Sequence, residues 1–275
     1  MSCNENMHMC GIICLLKYVF EISYRVNYNY TMLNKDELFL DLQCDGLQLI
    51  QSPSGYCFTT DAVLLASMVR ANAKENILEL GSGSGVISIL LSKKTKAKKI
   101  IGIEIQERLY SMSLRSLAIN NLGDRVSFIN DDIKNAIKLF GNASQDVIVV
   151  NPPYEKYQLK RKPTERDIAK FEVLISLEEM ITISANLLKN GGRFYMVIKA
   201  SRLGDVFHNM KKSGIEPKRL VSVQARKDSP IEICLIEGKK QGRSEMIVDR
   251  PIVLQDEFGK TSQDVEEIYS GKRKI

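Results

Sequence analysis

The segment from Asn76 to Leu91 constrains the fold more than any other part of the chain. Asn76 to Leu80 is a short apolar run, Gly81 to Gly85 alternates glycine with serine, and Val86 to Leu91 is a second apolar run. Glycines at alternate positions allow a tight turn and let a ligand approach bare backbone. The pattern therefore predicts a buried strand, a glycine turn and a helix, as in an α/β fold with a mostly parallel sheet.

The glycine spacing narrows the choice of ligand. Dinucleotide-binding turns have the spacing G-x-G-x-x-G, but Val86 and Ser88 stand where a third glycine would be required. Glu79, two residues before the first glycine, favours a cationic ligand over a pyrophosphate. S-adenosylmethionine, which carries a sulfonium and an ammonium group, is such a ligand.

Acidic residues follow the next two predicted strands. Lys99 to Ile103 ends at Glu104, 19 residues after the last glycine of the turn, close to the ~20 at which a carboxylate meets ribose hydroxyls. Val126 to Asn130 ends at Asp131 and Asp132, either of which could accept from an adenine amino group. Parallel strand ends converge on one crevice, so these acids are predicted to share it. The alternative for Asp132 is a helix N-cap.

A further apolar strand, Val147 to Val150, leads into Asn151, Pro152, Pro153 and Tyr154. An exocyclic aromatic amine is a poor nucleophile because it shares its lone pair with the ring. If the Asn151 side-chain oxygen and the Pro152 carbonyl oxygen each accept one of its protons, they favour a pyramidal nitrogen and stabilise its growing positive charge. Tyr154 would stack on the base. The alternative interpretation of the tetrad is a rigid turn after a strand.

These motifs together resemble those of class I S-adenosylmethionine-dependent amino-methyltransferases. A block upstream is similar to bacterial tRNA (adenine-N6)-methyltransferases that modify an anticodon-loop adenine of valine tRNA. It comprises Gly55, Tyr56, Phe58, Thr59, Thr60, Asp61, Ala62, Leu64 and Leu65. The resemblance spans about residues 33–268 and implies a Rossmann-like, seven-stranded sheet with an antiparallel closing hairpin and helices on both faces. It also places Phe58 and Asp61 beside the methionine end of the cofactor.

The predicted site therefore has three parts. The catalytic residues are Asn151, Pro152, Pro153 and Tyr154. The S-adenosylmethionine-binding residues are Phe58, Asp61, Glu79, Gly81, Ser82, Gly83, Gly85, Glu104, Asp131, Asp132 and Asn151. The predicted RNA contacts follow the tetrad on the same side of the sheet and are Lys156, Lys160, Arg161, Lys162 and Arg166.

Charge and cysteine content fit this prediction. The net charge of +6 and pI of about 8.9 are those of a mildly basic polyanion binder. The densest basic run, Lys93 to Lys99, is expected on the side of the sheet away from the crevice. Six cysteines without paired spacing indicate neither a disulfide framework nor a metal site. We therefore expect a cytoplasmic enzyme without metal, with a monomer favoured and no membrane association.

Three regions are expected along the chain. Residues 1–31 are an atypical extension, and Met32 is a possible natural start. Residues 32–72 should form a hairpin around Asp45-Gly46 and a helix, and residues 73–275 the methyltransferase domain. Later elements include a long helix from Ile168 to Lys189, ended by Gly191-Gly192, and a closing hairpin of Leu220 to Ala225 and Ile231 to Glu237.

Three alternative functions remain open. A protein-glutamine methyltransferase acting on release factors shares the tetrad but usually carries a sizeable helical domain before the glycine turn, for which Leu33 to Lys74 is too short. DNA adenine methyltransferases usually carry a large insertion for target recognition, and little chain is left for one after Tyr154. A non-catalytic RNA-binding relative is disfavoured by the intact Glu79, Asn151 and Tyr154.

Overall fold

The computed structural model describes residues 32–55, 57–153, 163–164, 167–168, 172–272 and 275. The predicted extension, 1–31, lies outside this part of the chain, as do Tyr154 and the five predicted RNA contacts. Within it the chain forms a small hairpin, a large mixed sheet and helices on both faces of that sheet.

The hairpin begins the described structure. Its strands are β1 (Leu38–Asp41) and β2 (Gln48–Gln51). The backbone N–H of Leu47 donates to the carbonyl of Cys44 at 2.9 Å, closing a turn around Asp45 and Gly46. Both central residues have positive φ, 48° and 72°, as a type I′ turn requires. The predicted hairpin and its turn are confirmed.

The large sheet contains nine strands in the described residues. They are β3 (Asn76–Leu80), β4 (Lys99–Glu104), β5 (Val126–Asn130), β6 (Gln145–Val150), β7 (Leu188–Lys199), β8 (Ile215–Gln224), β9 (Ile231–Lys240), β10 (Ile247–Val248) and β11 (Ile252–Val253). Strands β3 to β7 pair in parallel, and β9 lies antiparallel between β7 and β8. The predicted seven strands are confirmed in the order β8-β9-β7-β6-β3-β4-β5, and β10 and β11 extend the β8 edge.

Helices cover both faces of the sheet. They are α1 (Thr60–Met68), α2 (Val86–Lys94), α3 (Glu107–Ile119), α4 (Ala136–Phe140), α5 (Leu177–Leu187), α6 (Leu203–Lys212) and α7 (Gln263–Tyr269). Ile77 and Val149 belong to the core shared with α1 and α2, whereas Leu78 and Val150 belong to the core shared with α5 and α6. Because successive strand residues point to opposite faces, burial on both sides requires continuously apolar strands.

The predicted long helix from Ile168 to Lys189 is wrong in extent. Helix α5 begins after Ser176, whose side chain accepts from the Glu179 N–H while the Glu179 carboxylate accepts from the Ser176 N–H. This capping box fixes a helix start at that point. The predicted terminator Gly191-Gly192 lies inside β7, where the pairing with β6 shifts register.

The segment before β1 is tied to α3 by two ion pairs. Arg115 pairs with Glu37, whose side chain is fully buried, and also donates to the Met32 carbonyl at 2.6 Å. Burial raises the pKa of Glu37, but hydrogen bonds from Arg115 and Asn34 outweigh it, so the pKa is lowered. The second pair, Arg108 with Asp36 at 2.5 Å, is half exposed.

We predict unequal effects from truncating these two arginines. Arg115→Ala leaves the buried Glu37 carboxylate without its cation and should lower the free energy of unfolding by about 3 kcal/mol. Arg108→Ala, on the same helix, removes a solvent-screened pair and should cost much less. Urea denaturation at pH 7 measures both, and equal losses would contradict the assignment.

Candidate functional site

One cleft lies at the carboxyl ends of β3, β4 and β6, where parallel sheets bind ligands. Nine of the predicted site residues line it. They are Phe58, Glu79, Gly81, Ser82, Gly83, Glu104, Asp132, Asn151 and Pro153. The fold therefore brings residues from five separate segments of the sequence to one surface.

The glycine turn presents bare backbone to this cleft. Gly83 has φ +55°, and a Cβ placed there would meet nothing within 4 Å. Ser82 is 3% exposed, and among the described residues its hydroxyl oxygen has no hydrogen-bond partner. A buried hydroxyl of this kind fits a polar ligand atom in the cleft.

Gly85 has a different role from the one predicted. It does not line the cleft but caps the start of α2 with φ +88°. A Cβ there would lie 2.5 Å from the Phe128 ring and 3.0 Å from the Ser113 Cβ. Gly85 is therefore required by packing between the turn and its neighbours.

Glu79 is a buried acid at the floor of the cleft, 1% exposed. One of its oxygens accepts from the Ser88 N–H at 2.9 Å and from the Ser88 hydroxyl at 2.5 Å. Burial, helped by the nearby Glu104 carboxylate, outweighs the lowering by the Ser88 hydrogen bonds and raises the pKa of Glu79 to about 8. Without a cationic ligand, Glu79 is thus protonated near neutral pH.

Glu104 ends β4 and is 5% exposed. Its two oxygens accept from the backbone N–H groups of Gly83 and Gln106, each at 2.8 Å. Burial raises its pKa as well. Two buried carboxyl groups in one cleft favour a positively charged ligand, because such a ligand compensates the cost of ionising them.

The structure separates the two aspartates that follow β5. Asp132 lines the cleft and also caps the next turn, accepting from the Lys134 N–H at 2.9 Å. Asp131 is not among the lining residues. Its side chain accepts from Asn135 Nδ2 and from the Asp132 N–H, each at 2.7 Å, and these bonds lower its pKa. The geometry thus favours Asp132 for a ligand contact.

Asn151 lies beside the glycine turn. Leu80 of β3 pairs with Val150 of β6, so the next residues, Gly81 and Asn151, leave neighbouring strands at the same edge. Neighbouring strands are about 4.8 Å apart. A planar amine held by Asn151 would therefore lie close to a ligand held by the turn.

Two further predicted residues lie outside the lining of the cleft. Asp61 is in the first turn of α1, where its carboxylate accepts from the Thr59 hydroxyl at 2.5 Å. Pro152 is buried behind Asn151 and Pro153. Phe58, by contrast, is on the cleft wall as expected.

Sequence reasoning missed the apolar walls of the cleft. One wall comes from residues after β4 and β5, namely Ile105, Leu109 and Ile133. Further apolar lining comes from Leu174 and Ile175, just before α5, and from Met180 in its first turn. Ile105 could have been found from its position after the strand-end acid Glu104. No local signal marks Leu174 and Ile175, which reach the cleft only through the tertiary fold.

Neither a metal centre nor a membrane segment emerges from the part of the chain that the structure describes. No group of three or more His, Cys, Asp or Glu side chains there could hold a metal ion. None of the helices there combines the length and apolar character needed to cross a bilayer.

Comparison with known proteins identifies a family. A family model described as the methyltransferase small domain matches residues 58–213. A relative from Christiangramia forsetii is 27% identical over 192 residues, covering 69% of this chain and 80% of the relative. Another from Bacteroides fragilis is 28% identical, covering 64% of this chain and 74% of the relative. Both relatives are named tRNA1(Val) (adenine(37)-N6)-methyltransferase.

Solved structures support the fold. A predicted O-methyltransferase from Agrobacterium tumefaciens superposes with a TM-score of 0.63 at 17% identity, covering 78% of this chain and 98% of that one. TYW2 from M. jannaschii, in complex with AdoMet, superposes with a TM-score of 0.52 at 14% identity, covering 75% and 87%. The architecture is that of the Rossmann-like class I methyltransferases.

Glu79 should make the stability of the ligand-free protein depend on pH. Its folded pKa of about 8 exceeds the ordinary value of 4.5, so the folded state retains a proton that the unfolded state has lost. The free energy of unfolding should therefore fall as pH rises from about 5 to about 8. Glu79→Gln, which keeps an oxygen for Ser88, should flatten this dependence. Urea denaturation across that range tests it, and identical slopes would refute the assignment.

Alanine at Gly83 and at Gly85 should separate ligand binding from folding. Gly85→Ala forces a Cβ against Phe128 and should destabilise the protein by about 2 kcal/mol or more. Gly83→Ala meets open space and should cost about 1 kcal/mol in backbone strain, yet weaken S-adenosylmethionine binding at least about tenfold (1.4 kcal/mol). Thermal unfolding and calorimetric titration measure the two effects. A stable Gly85→Ala protein would contradict the packing role.

Proposed function

The chain belongs to the methyltransferase small domain family, and we propose that it transfers a methyl group from S-adenosylmethionine to the exocyclic amine of an adenine in RNA. The most specific form of the proposal is an anticodon-loop adenine of valine tRNA. The names of the relatives support this substrate. Such a substrate would place the enzyme in the cytoplasm.

The observation that carries the proposal is the position of Asn151. It lines the same cleft as Glu79 and the glycine turn, one strand away from Gly81. A methyl donor and a planar amine could therefore be held side by side. A rigid turn with only a structural role would not need its amide in the cleft.

The residues present fit S-adenosylmethionine. Bare backbone at Gly81 and Gly83, the buried Ser82 hydroxyl and the acids Glu79 and Glu104 suit its ammonium, sulfonium and hydroxyl groups. Ile105 and Ile133 offer an apolar wall for the adenine ring, with Asp132 near its edge. When bound, this cofactor supplies an electrophilic methyl group.

The chain contributes charge stabilisation at the amine. The Asn151 side-chain oxygen and the Pro152 carbonyl oxygen would each accept one N–H bond, which draws the nitrogen out of conjugation and stabilises the positive charge that grows on it. The methylated nitrogen is then acidic enough to lose a proton to water. No strong base is required of the protein.

The architecture disfavours the alternative substrates. Residues 33–74 form a hairpin and α1, which is much less than the helical domain of release-factor methyltransferases. After β7 the described chain forms α6, β8, β9, β10, β11 and α7, so this described part holds no large insertion for duplex DNA. Incubation with labelled S-adenosylmethionine and total RNA, DNA or protein extract tests this choice. Label in protein or DNA instead of RNA adenine would overturn the proposal.

Asn151→Ala should lower turnover by roughly 100-fold or more, because it removes one acceptor that stabilises charge in the transition state. Affinity for S-adenosylmethionine should stay near that of the wild type. Single-turnover rates and calorimetric titration measure the two quantities. Asn186→Ala, an exposed position near the end of α5, is the matched control and should leave both unchanged. An Asn151→Ala enzyme with wild-type turnover would contradict the proposed mechanism.

A further inference from the structure

A fixed turn after β11 presents an exposed aromatic ring. Phe258 is 79% exposed. The Asp256 carboxylate accepts from the backbone N–H groups of Phe258 and Lys260, each at 2.9 Å, and the Asp256 N–H donates to the Lys260 carbonyl at 2.8 Å. These bonds hold the backbone that carries the ring, so its exposure is a property of an ordered turn.

This turn lies at the same edge of the sheet as Asn151. Lys199 at the end of β7 pairs with Ile233 of β9, and Ile233 pairs with Val223 of β8. These pairs place the carboxyl end of β8 at that edge. The turn begins there, because the Gln255 N–H donates at 2.9 Å to the carbonyl of Ala225, the residue that follows β8. From β6 to β11 there are four strand spacings, which amount to about 19 Å.

A second cavity lies at the base of this turn. Its volume is about 550 Å³, and it is lined by Thr60, Gln255, Thr261 and Tyr269, among others. Thr60 follows the cleft residue Phe58 by two positions in the chain, and Gln255 precedes Phe258 by three. This cavity therefore extends from the start of α1 to the base of the turn that carries Phe258.

Charged residues lie in and beside the turn that carries the ring. Arg226 donates to the Gln255 side-chain oxygen at 3.4 Å and reaches the turn at Gly259, and Lys227 and Lys260 are exposed beside it. Asp228 and Glu257 are exposed acids in the same region. Since the two signs nearly balance, charge alone would bind a polyanion weakly here, and the ring must supply the specific contact.

We propose that Phe258 stacks against a base of single-stranded RNA flanking the methylated adenine, while Arg226, Lys227 and Lys260 contact neighbouring phosphates. The inference rests on the proposed function, which it extends by a second contact surface. Aromatic side chains with nearby cations form such platforms because every base has a stacking face. The position on the catalytic edge favours RNA over a protein partner.

The test compares three substitutions of one side chain. Phe258→Ala should weaken binding of a labelled single-stranded RNA of about 15 nucleotides by about 5- to 150-fold, the range expected for one stacked base. Phe258→Trp should retain wild-type affinity, and Phe258→Leu, apolar but without a π face, should behave as alanine does. Fluorescence anisotropy gives RNA affinity, and calorimetry should show unchanged S-adenosylmethionine affinity.

Matched controls separate this surface from general effects. Ile247→Ala removes another exposed apolar side chain, 65% exposed, on β10 and away from the catalytic edge, and should leave RNA affinity unchanged. Lys227→Ser and Lys260→Ser should each reduce the salt dependence of binding by a slope of about 0.7 to 1. Lys98→Ser, before β4 at the opposite edge, should not.

The outcomes distinguish the surface from the reaction. If the protein methylates RNA but Phe258→Ala leaves RNA affinity unchanged, the proposed RNA-binding surface is wrong and the proposed function is unaffected. If RNA binding depends on Phe258 but no methyl group is transferred to RNA, the RNA-binding surface is supported and the proposed function is refuted. Three other results would overturn the inference. The wild type could bind no RNA, or Phe258→Leu could retain as much RNA affinity as Phe258→Trp. Phe258→Ala could also change self-association alone, which would indicate a protein contact.

Discussion

The parallel pairing of β3 with β6 is the constraint on which the site depends. It places Leu80 opposite Val150, so the glycine turn and Asn151 emerge together although about 70 residues separate them. Both strands are buried on both faces, by α1 and α2 on one side and α5 and α6 on the other. A one-residue slip would exchange the side chains that pack into these two layers and would move Asn151 out of line with the glycine turn.

Burial of acids is the second organising feature. Glu79 and Glu104 are nearly inaccessible and each has a raised pKa. Hydrogen bonds from Ser88, Gly83 and Gln106 hold their oxygens in place. Ionising these buried acids is therefore unfavourable in the ligand-free protein, and a cationic ligand compensates that cost. Cofactor recognition and the pH response of the fold arise from the same groups.

Elements with strong local signals were predictable. Continuous apolar runs indicated the parallel strands, and Asp45-Gly46 indicated the hairpin turn. The residues that follow the strand ends indicated where the cleft lies. Errors arose where a second signal competed with apolar periodicity. The predicted helix from Ile168 overran the capping box at Ser176 and Glu179, which the sequence carries but which was overlooked.

The sequence by itself determined the individual strands and the residues that follow their carboxyl ends, because strand periodicity and glycine spacing are local properties. Only the tertiary structure decided which neighbouring groups face the cleft. It turned Asp132 into the cleft and Asp131 onto Asn135, and it placed Gly85 against Phe128. It also brought Leu174 to the cleft wall and the Phe258 turn to the catalytic edge. These outcomes depend on contacts between residues far apart in the chain, which no local pattern encodes.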